Sequence, residues 1–447
     1  MIGSIGQIGK IPELRKRLFF TLALLAVYRL GVHVSTPGIN IEALRHLFEG
    51  QQGTLLGLIN LFSGGALEHF SIFTLGIAPY ISVSIIVQVL TPTIPALEAL
   101  KKEGESGRRV LTRYTRQGTI VLALIQSLAI AHGLEGQGLA LSPGWMFRAT
   151  TIATLTAGTA FVMWLGEQVT EKGIGNGISI IIFAGIVAQM PRVLVSTIEQ
   201  ARTGDVSGLA VFGMLLFALL TMYGIVYVER SLRRIPIQYP RRTVGNQVTQ
   251  AQTQYLPLKV NMSGVIPPIF ASAIIVVPLT FASFSSIDAI QDLAPYLQHG
   301  TWSYSLIFVL LVVLFCYFYT AVVFNPDEVA ENLKKNGGFI PTVRPGKQTA
   351  DYLYSVLNRL TLWGAIYIAL VCIVPEILYV NLGAPGFASV FGGTAILIVV
   401  GVTLDTASQI ESHVLAKNYE SFMAKGSSKA LGGAGSAGYM RSRLLRK

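Results

Sequence analysis

Side chains suited to covalent or metal chemistry are few in this 447-residue chain and are scattered along it. Cys316 and Cys372 form no CxxC pattern and lie inside apolar runs. The motifs GxxxxGK[ST], HExxH and GxSxG are absent, and GIGNGIS at 173–179 does not fit GxGxxG. No HxxxH pair occurs among the histidines, which are His33, His46, His69, His132, His299 and His413. The sequence therefore predicts no catalytic residue, no metal site and no cofactor, and a protein that is not an enzyme.

Isoleucines recur at suggestive places in four of the apolar runs. Two pairs have the spacing i,i+4, which puts both members of each pair on one face of a helix. Others follow a Pro-Pro pair and the string FGGT. The six positions are Ile77, Ile81, Ile178, Ile182, Ile269 and Ile398. Their spacing alone favours ordinary packing or lipid-facing side chains.

Ten apolar stretches must position these residues. Most approach the roughly 20 residues that a helix needs to span a bilayer core. The chain is 52% apolar and only 13% charged, whereas soluble domains carry about 25% charged residues. The stretches are 18–34, 71–91, 118–134, 149–166, 177–196, 206–228, 263–284, 303–324, 357–379 and 386–409. We therefore predict an all-α polytopic membrane protein with ten transmembrane helices.

Basic residues fall in every second gap between the apolar stretches. The N-terminus, the tail and the alternate loops hold 29 of the 34 Lys and Arg residues. By the positive-inside rule, both termini and these loops are cytoplasmic. Residues 1–34 resemble a signal peptide but lack a convincing cleavage site, so a retained first helix is expected.

The ten spans divide into two halves of five. An odd number of spans in each half predicts that the halves are inverted relative to one another. Residues 1–196 form the first half and 206–410 the second, with long cytoplasmic loops at 229–261 and 325–356. Residues 411–447 are expected to be a basic, partly disordered cytoplasmic tail.

The stretch 35–70 ends in LLGLINLFSGGALEHF, which is too short and too broken to span a membrane. A re-entrant segment and a surface amphipathic helix fit it equally well on sequence alone.

Five strings in the chain closely resemble the SecY family, the channel subunits of bacterial protein translocase. The likeness runs from about residue 10 to 420, through all ten spans in order. It implies a ten-helix clamshell with an hourglass pore, opened at its centre for secretion or sideways for membrane insertion. The strings are LGIAPYISVSIIVQ, KKEGESGRR, GIGNGISIIIFAGIVA, LPLKVNMSGVIPPIFAS and GGFIPTVRPGKQTADYL.

The resemblance assigns roles to residues of the pore. It makes the six isoleucines a ring at the waist, where aliphatic side chains disfavour water and ions yet accept any passing sequence. It makes the re-entrant segment, about 58–70, a plug helix below the ring. The plug residues are Leu61, Phe62, Ser63, Gly64, Gly65, Ala66 and Leu67. It also places a lateral gate between the second and seventh spans, with Ser82, Gln88 and Val277 as lining residues.

Partners are implied by the same resemblance. Arg344 in TVRPG is expected to contact the motor ATPase SecA or the ribosome, and Arg241 and Arg242 fit the tip of the other partner-binding loop. Just downstream, this chain has Asn246 and Gln247 where many relatives carry basic residues. SecE and SecG are the expected membrane partners, and signal peptides and nascent polypeptides the expected substrates.

Three other functions compete with a channel. An ion-coupled solute transporter would need ionisable groups at the midplane, whereas those in the spans lie near helix ends. An intramembrane enzyme would need a paired nucleophile and base. The net charge of +11 could suit nucleic acid, but its position favours anionic lipid, with no direct nucleic-acid specificity beyond a ribosome contact.

Overall fold

Helices dominate the described chain, and each predicted apolar stretch overlaps at least one of them. The computed structural model describes residues 11–40, 42–44, 63–204, 206–239, 243–244, 247–248, 253–284 and 301–417. The helices are α1 (Pro12–Val32), α2 (Ala78–Leu90), α3 (Pro95–Lys102), α4 (Glu105–Gly136), α5 (Trp145–Lys172), α6 (Gly177–Thr203), α7 (Gly208–Glu229), α8 (Ile266–Phe284), α9 (Trp302–Val323), α10 (Pro326–Lys335), α11 (Lys347–Asn381), α12 (Pro385–Phe391) and α13 (393–417).

Seven helices in the described part of the chain are long and apolar enough to cross a membrane. The count becomes eight if α2 and α3, which meet at 96°, form one broken span. Pro95 begins α3. The fixed φ of proline suits the first turn of a helix, whereas its missing N–H and its ring would interrupt a helix that continued from α2. These helices confirm the polytopic helical fold and are consistent with ten crossings.

The transmembrane helices pack around one large hydrophobic cluster. Helix α4 contacts both α2 and α5, and α5 contacts α6. Helix α8 contacts α2, α4 and α9, so it joins the predicted second half to the first. Helix α12 lies against α6 and α11. The cluster contains residues from both predicted halves.

A β-hairpin projects from the predicted cytoplasmic loop 229–261. Its strands are β1 (Leu232–Gln238), β2 (Thr243–Val244), β3 (Gln247–Val248) and β4 (Thr253–Lys259). Strands β1 and β4 are antiparallel, with Leu232 opposite Lys259 and Gln238 opposite Thr253, and β2 pairs with β3. The strands in the described residues are confined to this loop.

The two long loops form one packed unit. Gln238 and Phe339 exchange backbone hydrogen bonds of 2.8 and 3.0 Å. Ile235 of β1 shares a hydrophobic cluster with Ile340 and Leu353. Loop 325–356 is therefore held against the hairpin instead of projecting separately.

Helices α1 and α13 meet at the predicted cytoplasmic face. Leu14, Ile174 and Val414 form a small hydrophobic cluster there. The Lys417 ammonium donates to the Glu13 carboxylate and lowers the pKa of that carboxyl below its usual value. This contact ties the beginning of the described chain to its end.

Candidate functional site

The six isoleucines predicted to form a ring belong to or pack against one hydrophobic cluster. Ile178 and Ile269 are half-buried and pack against it. The other four residues are at most 8% exposed: Ile77, Ile81, Ile182 and Ile398. These residues come from the start of α2 and from α6, α8 and α13, so four separate elements contribute them to one extended apolar cluster.

Six aliphatic side chains can act on a passing molecule only through their apolar character. It has no hydrogen-bond donors or acceptors on its side chains, so it offers no directional contact to a polar substrate. In a narrow passage such side chains disfavour water and raise a barrier to ions. All six isoleucines belong to or contact this large cluster, and their arrangement as a ring that lines a pore stays a prediction.

The predicted plug is described from residue 63 onward, whereas Leu61 and Phe62 lie outside the described residues. Residues 63–70 run through turns instead of the helix that was expected. Gly64 and Gly65 have φ values of +68° and +90°, a left-handed conformation that glycine adopts without strain. The segment closes on itself through a 2.9 Å hydrogen bond from the Ser71 backbone N–H to the Ala66 carbonyl.

The described plug residues lie against the same cluster as the isoleucines. Ala66 is fully buried and belongs to that cluster, and Leu67 is also buried. A Cβ atom on Gly64 would lie 2.9 Å from the Cα of Gly185, so a larger residue would push the segment away from α6. Glycine at 64 therefore permits close approach as well as the turn.

Side chains of two helices hold residues 63–68 in place. The Tyr28 hydroxyl of α1 donates to the Ser63 carbonyl at 3.0 Å. The neighbouring Arg29 guanidinium donates to the Gly64 carbonyl at 2.8 Å. From α6, Arg192 donates to both carboxylate oxygens of Glu68, at 2.8 and 2.7 Å.

Sequence reasoning did not identify the side chains of Tyr28, Arg29, Arg192 and Glu68 as site residues. One signal was available for two of them. Arg29 and Arg192 are among the five basic residues that lie outside the predicted cytoplasmic flanks. A basic residue that departs from the positive-inside pattern needs a local reason, and the contacts with residues 63–68 supply one.

The two helices predicted to form the lateral gate contact each other directly, α2 against α8. Ser82 is buried and its hydroxyl donates to the Ala78 carbonyl at 3.1 Å. The Gln88 amide is half-buried and donates to the Ser84 hydroxyl at 3.1 Å. Val277 falls on α8, but its side chain is outside the described part of the structure. The gate residues stay a prediction.

Arg344 lies in a tight turn at the predicted cytoplasmic surface. Its side chain is exposed, while its carbonyl accepts a 2.9 Å hydrogen bond from the Thr349 hydroxyl. Thr342 has a φ of 72° and Gly346 a φ of 110°, so the backbone folds back on both sides of Arg344. Arg241 and Arg242 lie outside the described residues.

Within the described ranges, no group of three or more His, Cys, Asp or Glu side chains is arranged to hold a metal ion. The six isoleucines contribute only apolar side chains to the cluster, whereas residues 63–68 are held by hydrogen bonds and an ion pair.

Comparison with known proteins supplies the family. The SecY family model matches residues 71–407. The chain belongs to the SecY family. Protein translocase subunit SecY of Pseudomonas aeruginosa is 49% identical over 428 residues, which cover 95% of this chain and 96% of the relative. The SecY subunit of Escherichia coli K12 is 48% identical over 432 residues, 95% and 97% of the two chains.

Solved structures share the fold of this SecY chain. A protein-conducting channel aligns with a TM-score of 0.63 at 16% identity, covering 91% of this chain and 96% of the other. Sec61 from a canine ribosome–channel complex aligns with a TM-score of 0.60 at 15% identity, with the same coverage. These likenesses confirm the predicted fold class.

Proposed function

We infer that this chain is a protein-conducting channel of the cytoplasmic membrane. It moves unfolded secretory polypeptides across the membrane and releases the helices of membrane proteins sideways into lipid. The observation that carries this inference is the extended apolar cluster to which six isoleucines from distant elements belong or pack, with the buried Ala66 and Leu67 beside them. Because the chain belongs to the SecY family, we interpret this cluster as the lining of a protein-conducting pore.

The apolar ring blocks ions because it excludes water, and it opens when a polypeptide displaces its side chains. Ions lose hydration in a narrow aliphatic passage and find no compensating ligand. A polypeptide brings its own apolar and polar side chains and keeps its backbone solvated above and below the waist. Since the ring makes no directional contacts, it accepts unrelated sequences, which is what a general secretion channel requires.

Sideways release uses the seam between α2 and α8. The two helices are in contact, so their separation would expose a path from the ring to the lipid. An apolar signal-sequence helix partitions through such a seam because its side chains prefer hydrocarbon to water. The flanking charges of that helix then set its orientation.

The energy for transport comes from a partner on the cytoplasmic face. The motor ATPase SecA or a ribosome would bind the unit made by loops 229–261 and 325–356, with Arg344 as a contact. A structural neighbour, Sec61, was solved in a ribosome–channel complex, which supports the ribosome as a partner. SecE and SecG would join the chain in the membrane. The chain itself is not an enzyme and uses no cofactor, and both its termini are cytoplasmic.

A reconstituted translocation assay tests this function. Proteoliposomes that contain the full chain, its membrane partners and the motor ATPase should protect a signal-bearing precursor from external protease when ATP is present. A matched precursor without its signal sequence should stay digestible. Failure to protect the precursor, combined with ion-coupled uptake of a small solute, would instead indicate a transporter.

A further inference from the structure

One buried side chain organises the connector, residues 260–265, which joins the end of β4 to the start of α8. Asn261 is 1% exposed. Its amide nitrogen donates to the Glu229 carboxylate at 2.7 Å and to the Gly264 carbonyl at 3.1 Å. Its amide oxygen accepts hydrogen bonds from the Ser263 hydroxyl at 2.9 Å and from the Gly264 backbone N–H at 3.1 Å. Both donors and both lone pairs of the amide are therefore used.

The hydrogen bond between Asn261 and Glu229 closes the base of the β-hairpin. Glu229 is the last residue of α7 and precedes β1, whereas Asn261 follows β4, so the two residues flank the hairpin. A backbone hydrogen bond of 3.1 Å runs beside this contact, from the Val260 N–H to the Ser231 carbonyl. The end of α7, the hairpin and the connector to α8 therefore meet at one place.

The connector also packs against elements on both of its sides. Met262 contacts the hydrophobic cluster that contains Ile235 of β1 and Leu258 of β4. A Cβ atom on Gly401 of α13 would collide with the Val265 side chain, so α13 approaches the connector closely. Because close-packed residues have little room to shift, a displacement of the hairpin reaches α8 instead of being absorbed in the connector. Helix α8 in turn contacts α2 across the predicted lateral seam.

We propose that Asn261 is a positioning residue that makes the hairpin and the start of α8 move as one body when a partner docks on the cytoplasmic loops. The proposal rests on the channel function inferred above and adds to it a residue that touches neither substrate nor partner. With the Asn261–Glu229 bond in place, a force on the hairpin displaces α8 relative to α2. Without that bond, the base of the hairpin opens and the hairpin moves while α8 stays behind.

Exchanging the donor and the acceptor of this bond tests the proposal in proteoliposomes that contain the full chain, its membrane partners and the motor ATPase. Asn261→Asp removes the donor and puts two carboxylates side by side, so the maximal rate of precursor transport should fall about five- to tenfold. Glu229→Gln keeps an acceptor for Asn261 and should change the rate by less than about twofold. The double variant Glu229→Gln/Asn261→Asp restores the bond in the opposite direction, and its rate should return toward wild type.

Two further readouts separate coupling from a general loss of structure. The ATPase concentration that gives half the maximal rate should be the same in all variants, because the exposed loop surface is unchanged. Energy transfer between fluorophores on cysteines introduced at Ile86 of α2 and Ile274 of α8, which are 52% and 38% exposed, reports the seam. The native cysteines are buried and stay unlabelled. Docking of the ATPase should change the energy transfer in the wild-type sequence but not in Asn261→Asp, with equal values at rest.

Asn325→Asp is the matched control, because it makes the same chemical change outside the connector. The Asn325 side chain accepts a 3.2 Å hydrogen bond from the Asp327 backbone N–H at the start of α10, and a carboxylate can accept that bond equally well. An equal loss of seam movement in this control would overturn the proposal. Ser263→Ala removes one hydrogen bond to Asn261 and should lower the rate about two- to threefold, which provides a test if Asn261→Asp does not fold.

The wild-type chain separates the two possible failures. If wild type transports the precursor and Asn261→Asp matches it in rate and in seam movement, the coupling role of Asn261 is wrong and the channel function stands. If wild type transports no precursor in the presence of the ATPase and ATP, the channel function itself fails.

Discussion

The predicted ring isoleucines would act through the absence of polar atoms on their side chains. Ile81 and Ile398 are at most 8% exposed and lie in the central cluster. Burying an aliphatic side chain of this size contributes about 1.5–3 kcal/mol, and a comparable free energy opposes wetting of the waist. The barrier therefore depends on side-chain polarity more than on side-chain shape.

Replacing Ile81 or Ile398 with Asn should wet the ring. We expect resting ion leak to rise by about tenfold or more, since roughly 2 kcal/mol of barrier is removed, and export of precursors with defective signals to increase. Conductance of reconstituted vesicles measures the first effect. Ile81→Leu, which conserves volume and polarity, should stay sealed. An Asn variant as tight as wild type would contradict the role of these side chains.

Arg344 is predicted to act by its charge at the predicted cytoplasmic surface. Arg344→Glu should lower partner-driven translocation by about tenfold, since reversing an interface charge turns attraction into repulsion. The variant should still fold, because the Arg344 side chain is exposed and its turn is held through its carbonyl. Translocation of a normal precursor by reconstituted vesicles measures the effect. Arg359→Glu, at an exposed position of α11, is the control with an equal change of charge. Normal transport by Arg344→Glu would show that Arg344 is not part of the partner interface.

The sequence offered a signal for the predicted ring residues and little for the residues that contact segment 63–68, for a physical reason. The six isoleucines lie inside long strings that resemble a known family. Tyr28 and Arg29 bind main-chain carbonyls, which every residue carries, so neither sequence position names its acceptor. The Glu68–Arg192 pair joins side chains 124 positions apart, and only the packed fold brings them together.

At the scale of elements, residues 63–70, the described part of the predicted plug, run through turns and pack without forming a helix. Deleting residues 61–67 should raise resting conductance by about tenfold or more, because both the buried Ala66 and Leu67 and the hydrogen bonds to Ser63 and Gly64 are lost. Planar-bilayer recordings of the full chain measure this. A deletion variant that remains as tight as wild type would argue against a plug.

The two cytoplasmic loops are predicted to work as one element. A Cβ on Gly338 would lie 2.9 Å from the Tyr239 ring and 3.1 Å from Ile237, so Gly338→Val should force the loops apart. Such overpacking destabilises the fold by about 1–3 kcal/mol. We therefore expect faster hydrogen exchange of the β1 and β4 backbone amides. Partner-driven export should fall at the same time.

Gly213→Val is the control for that change, since a Cβ there meets nothing within 4 Å. Unchanged amide exchange in the Gly338 variant would mean that the loops hold together without this contact.

Element-level prediction succeeded for spans and was incomplete for loops. Long apolar runs have few alternatives to a helix in a membrane, and each overlaps a helix here. The alternation in LRRIPIQ buries Ile235 and Ile237 on one face, a strand signal that the sequence contained. The pairing of Gln238 with Phe339 depends on contacts between separate loops, which local pattern does not encode.

At the scale of the whole molecule, a contact between the two ends of the described chain limits the number of membrane crossings between them. Glu13 and Lys417 form an ion pair and so lie on one side of the membrane. The chain between them must cross an even number of times, which ten spans satisfy. The Gly175 backbone N–H donates to the Gln409 side chain at 2.9 Å, so the loop after the fourth predicted span lies on that side as well. This agrees with the positive-inside pattern.

The central claim is that polypeptide passes through the isoleucine cluster. Crosslinking tests it most directly, with a stalled secretory chain and single cysteines at the six ring positions in a background where Cys316 and Cys372 are replaced. A cysteine at Leu209, which is 84% exposed on α7, is the control. We predict crosslinks at all six ring positions and none at 209. Crosslinks absent from the ring, or equally strong at 209, would contradict the account.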